Sequence, residues 1–132
     1  MEIKFRIWDY QNDEMIYGVG ITPESDTYIP YKMTDSDESF ENFNYYPKSS
    51  LMQFTGVKDE NEIPIYSGDV IYSQLMDEKE IFIDEVKFKG GQFILSTEGR
   101  LDIPLGHDNI TYIEIAGNFF ENPELLGEGE II

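Results

Sequence analysis

The single histidine, His107, stands in Gly106-His107-Asp108-Asn109, beside an acid of the kind that orients an imidazole. A catalytic or metal-bound histidine needs partners from elsewhere in the fold, and one histidine cannot build a site that requires two or three. The stretch reads as an exposed turn. Asp35-Ser36-Asp37-Glu38 has the oxygen-rich composition of part of a calcium loop. Such a loop places ligands at alternate positions, turns on a central glycine and closes on a glutamate at its end. Here Glu41 follows with no glycine between, so this stretch reads as a solvated loop. Paired carboxylates do glycosidase chemistry, but among 27 acids pairs arise by chance. There is no cysteine, which removes disulfides, thiolate nucleophiles and cysteine-bound metals. No glycine-rich phosphate loop, Gly-x-Ser-x-Gly elbow or Ser-x-x-Lys is present. The expectation is no catalytic residue, no metal site, no cofactor, no small-molecule substrate, and a protein that is not an enzyme.

The elements that would carry any site are short and β-like. Ile3, Phe5 and Ile7 alternate with Glu2, Lys4 and Arg6, the period of a half-buried strand. Asp9 to Glu14 reads as a turn, and the apolar run Met15 to Ile21 pairs back as a hairpin, with Gly18 and Gly20 allowing a bulge. Leu51 to Phe54 is a short strand and Gly56 to Pro64 a turn with Asp59, Glu60 and Asn61 at its tip. Ile65-Tyr66 leads through the tight turn Ser67-Gly68-Asp69 into the β-prone Val70 to Leu75. In Ile81 to Lys89 polar and apolar residues mix on both faces, which suggests one bulge or bend. Gly90-Gly91 marks a hairpin to Gln92–Ser96. Asp102 to Leu105 and Ile110 to Ala116 are further strands. Asn122 caps a helical turn with Pro123 at its first position, and 127–132 is a frayed tail. Short strands with frequent turns predict a mainly β fold, a small barrel-like body of SH3-like or curled-sheet type, with an N-terminal hairpin and little helix.

Residues 20–50 differ from the rest. Within 22–50, Pro23, Pro30 and Pro47 break regular structure, and six acids are interleaved with Tyr28, Tyr31, Phe40, Phe43, Tyr45 and Tyr46. So many aromatics are out of place in a simple linker. The segment reads as a long irregular loop that packs on the body or folds against a partner, with one short helical turn between Thr34 and Asn44.

The whole chain has 132 residues and a net charge of −18, from 9 Lys and Arg against 27 Asp and Glu. A surface of that sign repels the phosphate backbone, so no direct nucleic-acid contact is expected. Acidic disordered chains are poor in aromatics. This one is 40% hydrophobic and 14% aromatic, enough for a single folded domain with the charge outside. Met1 to Trp8 is no signal-peptide run, and no stretch has the roughly 20 apolar residues of a spanning helix, so the cytoplasm is the expected compartment.

Four segments in this order and spacing resemble the YopX family of small bacteriophage and prophage proteins. They are Ile3-Lys4-Phe5-Arg6-Ile7-Trp8-Asp9, Leu51-Met52-Gln53-Phe54-Thr55-Gly56-Val57-Lys58-Asp59, Ile65-Tyr66-Ser67-Gly68-Asp69-Val70-Ile71 and Gly117-Asn118-Phe119-Phe120-Glu121-Asn122-Pro123-Glu124-Leu125-Leu126. The resemblance implies a mainly β protein with a barrel-like C-terminal part, found in phage accessory gene regions and without an assigned biochemical activity. It departs from the family at Asn61, which is followed by Glu62 where such proteins carry Asn-Gly.

The matched residue types are those that turns, caps and cores require. Trp8 is expected to anchor the core, Gly68 to take a positive φ, and Asp69 to bond neighbouring amides. Gly56 lies in a turn, Gly117 and Asn118 end the last strand, and Asn122 and Pro123 start the helical turn. Phe119 and Phe120 pin the tail to the body. The chain is expected to be one domain, with 1–19 a hairpin, 20–50 a variable insert, 51–126 the body and 127–132 a tail. The functional expectation is a non-enzymatic phage accessory protein in the bacterial host cytoplasm. It acts by contact with a protein, a second copy of itself included, through Tyr28, Tyr31, Phe40, Phe43, Tyr45 and Tyr46. The alternative is an acidic nucleic-acid mimic that occupies a host nuclease or DNA-binding protein. Against it, the acids are spread evenly, 13 in residues 1–66 and 14 in 67–132, with no phosphate-like period.

Overall fold

The computed structural model describes residues 2–19, 27–28, 46–47, 50–127 and 130–131, the pairs 27–28, 46–47 and 130–131 by backbone alone. The protein is mainly β and divides into two compact units, Met1–Phe54 and Thr55–Ile132.

The first unit starts with β1 (Phe5–Asp9) and β2 (Glu14–Val19), an antiparallel hairpin. Its turn is organised by Asp9, whose carboxylate accepts from the backbone N–H of Gln11 at 2.9 Å and from the Asn12 amide side chain at 2.8 Å. The ladder slips between Phe5 and Arg6, leaving Gly18 as the extra residue of a bulge. Two two-residue strands, β3 (Thr27–Tyr28) and β4 (Tyr46–Pro47), pair antiparallel inside the acidic aromatic segment. The helical turn expected between Thr34 and Asn44 lies outside the described residues. Next comes β5 (Leu51–Lys58), whose residues Leu51 to Gln53 pair with Ile7 to Phe5.

β1 is therefore paired on both edges, and its burial departs from the simple alternation expected of it because side chains of both neighbours cover Arg6. Ile3, before the ladder begins, is 70% exposed, whereas Arg6 is only 4% exposed. The Arg6 side chain is held over the Tyr17 ring, 5.9 Å from its centroid, with Nε 3.3 Å from Met52 Sδ. A long aliphatic stem lets an arginine occupy a buried position if its head finds partners.

In the second unit β5 continues past the point where a turn was expected. Gly56 lies within the strand, and Thr55 holds the local geometry. Its hydroxyl donates to the Ile65 carbonyl at 2.8 Å and accepts from the Val57 N–H at 3.1 Å. The turn is confined to 59–63, where Glu62 takes a φ of 64°, before β6 (Pro64–Tyr66). One sheet runs in the order β2-β1-β5-β6.

The second sheet has six strands. These are β7 (Asp69–Leu75), β8 (Ile81–Lys89), β9 (Gln92–Ser96), β10 (Ile103–Pro104), β11 (Ile110–Asn118) and β12 (Glu130–Ile131). They run in the order β10-β9-β8-β7-β11, with β12 paired to β8, and the sheet curls into a half-barrel. Within the segment expected as a tail, the β12 backbone pairs Glu130 with Phe82 and Ile131 with Ile81. β8 and β9 are joined through Gly90-Gly91, with φ values of 61° and 81°. Both central residues of this tight hairpin turn need a positive φ, which glycine takes without strain.

β8 holds one register with β7 and one with β9, so the expected bulge is absent from these ladders. Its mixed pattern has another cause, a buried polar cluster described below. The core of this unit is Ile65, Ile71, Val86, Leu95, Leu105 and Ile113, with Val57, Phe93, Ile110 and Ile115 packed against it. Each fully buried aliphatic of this size contributes about 1.5–3 kcal/mol.

Candidate functional site

Of the six aromatics assigned to partner contact, Tyr31, Phe40, Phe43 and Tyr45 lie outside the described residues. Tyr28 and Tyr46 are brought together as backbone partners in the β3–β4 ladder. Trp8 is buried, 6% exposed, on β1. Gly68 takes a φ of 90°, donates its N–H to Val86 O at 2.8 Å and accepts from Phe119 N–H at 2.7 Å. Asp69 is 2% exposed and accepts from the Tyr66 N–H at 2.8 Å. Gly117 and Asn118 close β11.

The caps beyond β11 differ from the expected ones. Asn118, not Asn122, is the side chain that caps the turn, accepting from the N–H groups of Phe120 at 3.0 Å and Glu121 at 2.9 Å. The Asn122 carboxamide turns back to accept from Asn118 N–H at 3.3 Å. Only the Asn122 backbone carbonyl serves the following 3-10 helix (Pro123–Gly127), accepting from Leu125 N–H at 3.1 Å. Phe119 is 44% exposed and stacks edge-on with Phe120, so the chain here is pinned by backbone bonds more than by that ring. His107 is exposed, and its Nδ1 accepts from Asn109 N–H at 3.0 Å within the turn.

Asp59, read as a turn-tip residue, is 4% exposed and works as a hub. Its Oδ1 accepts from Asn61 N–H at 2.8 Å and Ile63 N–H at 3.0 Å, while Oδ2 accepts from Ile115 N–H at 3.1 Å. Beside it the Glu60 N–H donates to Ile113 O at 2.9 Å. The 59–63 turn is thus fastened to β11.

A second polar group lies on the core-facing side of the large sheet. Asp84 is fully buried, accepts from the Ser73 hydroxyl across the β7–β8 ladder, and pairs with the Arg100 guanidinium. That guanidinium lies 4.5 Å over the Phe82 ring, and its Nε and Nη1 are buried with no hydrogen-bond partner among the described residues. Burial raises the Asp84 pKa, and the Ser73 bond and Arg100 charge only partly oppose that rise. The carboxylate is out of reach of solvent, so its chemistry is structural: one ion pair that lets a charged residue occupy a core position of β8.

The opposite face of the sheet is open. Tyr72 and Gln74 of β7, Ile81 of β8 and Tyr112 and Glu114 of β11 line a shallow hollow of about 370 Å³. Register explains the set: Tyr112 stands opposite Gln74 and Glu114 opposite Tyr72, so the two tyrosines are diagonal neighbours. Such neighbours lie about 7–8 Å apart, within reach of large rings. The Tyr112 hydroxyl donates to the Glu114 carboxylate. That bond, with burial and the charges of Glu114, Glu60 and Asp59, raises the Tyr112 pKa. At the rim the Gln74 amide donates to Glu78 O at 3.2 Å. A neighbouring hollow of about 300 Å³ on the same unit is lined by Glu85, Lys87, Ser96, Thr97 and Glu98 with Ile83 and Leu126. Burial raises the Glu85 pKa there, with Lys87 opposing. Among the described residues no group of three His, Asp or Glu is placed to hold a metal ion, and no helix is long and apolar enough to cross a membrane.

Sequence reasoning missed Tyr72, Tyr112 and Glu114 as a group. The alternation in Thr111-Tyr112-Ile113-Glu114 puts Tyr112 and Glu114 on one face, but only strand pairing brings Tyr72 beside them.

Comparison with known proteins agrees with the fold. The family model described as YopX protein matches residues 4–127. The crystal structure of protein EF1440 from Enterococcus faecalis is similar at 24% identity and a TM-score of 0.62, over 96% of this chain and 99% of that one. Protein yopX from Bacillus subtilis is similar at 23% identity and a TM-score of 0.62, over 93% and 97%. No curated protein matches the chain.

Proposed function

The chain belongs to the YopX family, and from that premise we propose that it is a non-enzymatic phage or prophage accessory protein that acts through protein–protein contacts in the cytoplasm of a bacterial host. The observation that carries this reading is the composition of 22–50, where six acids are interleaved with six aromatics. Two of those aromatics, Tyr28 and Tyr46, are partners in the β3–β4 ladder. Aromatic side chains supply most of the energy at protein interfaces, and acids around them set orientation and reject wrong partners. The solvent-inaccessible Asp84–Arg100 ion pair fits a structural role better than a catalytic one.

The net charge of −18 supports the second reading, a nucleic-acid mimic that occupies a basic host protein. Affinity capture from lysogenic host cells at low and high salt separates the two. The contact reading expects a partner retained at high salt and lost when Tyr28, Phe40, Phe43 and Tyr46 are replaced by serine. Capture that collapses with salt and ignores those substitutions supports the mimic instead.

A further inference from the structure

We propose that the hollow of Tyr72, Gln74, Ile81, Tyr112 and Glu114 is a binding site for a cationic side chain, the lysine or arginine of a basic partner segment. It rests on the protein acting by contact but draws on other residues than those of 22–50. Five features select the occupant. Two phenol rings on adjacent strands line the hollow on one side of the sheet, and a ring face attracts an ammonium or guanidinium group. Glu114, at the wall, supplies the opposite charge, and its carboxylate is fixed in place by the Tyr112 hydroxyl. Asp59 and Glu60 add negative potential that reaches Tyr112, which disfavours an anion beside that ring. Ile81 and the aliphatic part of Gln74 make the floor apolar, which suits the methylene stem of a lysine or arginine better than a small inorganic ion. The volume, about 370 Å³, accommodates one such side chain and not a folded element.

The test is a titration of the isotope-labelled full chain with a ten-residue peptide of alternating arginine and glycine, followed by backbone NMR. Matched peptides with glutamate or leucine in place of arginine serve as controls. The expected result is saturable shifts centred on Tyr72, Gln74, Tyr112 and Glu114 for the arginine peptide, about tenfold weaker in Glu114→Gln and in Tyr72→Leu, which keeps the apolar area but removes the ring. Glu124→Gln, an acid on the 3-10 helix, should leave binding unchanged. Shifts spread over all acidic surfaces, or equal losses in Glu114→Gln and Glu124→Gln, overturn the proposal in favour of non-specific attraction. Equal binding of the leucine peptide overturns it in favour of an apolar groove. Variants whose free spectra are no longer dispersed are replaced by Tyr112→Phe, which keeps the ring and frees Glu114, and which is expected to bind at least as well. Failure here leaves the salt-stable capture through 22–50 as a separate question.

Discussion

The Asp59 carboxylate accepts a hydrogen bond from the backbone N–H of Ile115, 56 residues further along the chain, at 3.1 Å. The same side chain organises its own turn, so one buried carboxylate joins a local hairpin to a distant strand. Removing it strands three backbone donors at once, and unmade bonds at buried groups cost more than made bonds contribute. Asp59→Ala is expected to lower stability by about 2–4 kcal/mol, and Asp59→Asn, which keeps one acceptor, by about half as much. Urea unfolding measures both, and an unchanged midpoint for the alanine variant would show that the turn finds other acceptors.

Arg100 and Asp84 depend on each other in the same way. Replacing Arg100 by methionine leaves a buried carboxylate with only Ser73 as partner and should cost about 3–5 kcal/mol. The double variant Arg100→Met with Asp84→Asn removes both charges and retains a hydrogen-bonding partner for Ser73. It is expected to be more stable than Arg100→Met alone, since a neutral pair avoids the desolvation of an unpaired charge. Calorimetric melting of the wild type, both single variants and the double variant decides the point; an additive double variant would mean the ion pair is not coupled.

The carboxyls of Asp84 and Glu85 have pKa values raised above their ordinary 3.8 and 4.5, both chiefly by burial. The folded state then holds these protons more tightly than the unfolded one. Their contribution to stability is full below the ordinary values and is lost as pH rises through the raised ones. Protonation also relieves the repulsion of a chain at −18. Asp102 runs the other way, lowered chiefly by its hydrogen bond with Lys89, but its contribution is lost only as pH falls through that lowered value. The unfolding midpoint is expected to rise as pH falls from neutrality toward the ordinary carboxylate range, and added salt should raise it most at neutral pH. A midpoint that falls steadily on acidification would count against burial as the controlling effect on these two groups.

Gly117 sits against Asn122 so closely that a Cβ would lie 2.7 Å from Asn122 Cγ and nearer still to its Oδ1. Gly117→Ala should therefore cost about 1–3 kcal/mol, because the carboxamide must abandon its bond with Asn118 to make room. Asn122→Ala alone loses about 1 kcal/mol. In the double variant the obstacle is gone, and the loss should be smaller than the sum of the two. A double-mutant cycle by chemical denaturation tests this coupling.

Several of these features were legible in the residues. The Gly90-Gly91 turn announced the β8–β9 hairpin because few other residues accept two positive φ angles in succession. Val70 to Leu75 and Ile81 to Lys89 were visible as strands from their β-branched and aromatic content. The Asn122-Pro123 pair marks the helix start at Pro123 as expected, but it does not tell which way the carboxamide turns, and here it turns back to Asn118. Alternation misplaces Arg6 because it assumes a wet face, whereas Tyr17 and Met52, the residues opposite Arg6 on the two neighbouring strands, cover its side chain.

What the sequence determined by itself was the β class, most strand and turn positions, the family resemblance and the acidic coat, because each follows from local propensity, short-range turn chemistry or composition. Tertiary structure alone decided which residues meet. The Asp59–Ile115 bond, the Ser73–Asp84–Arg100 cluster and the Tyr72–Tyr112–Glu114 hollow all join strands distant in sequence. Side-chain period says which face of its own strand a residue occupies. Only the pairing register says which strand lies next to it, and that register is fixed by the packing of the whole sheet.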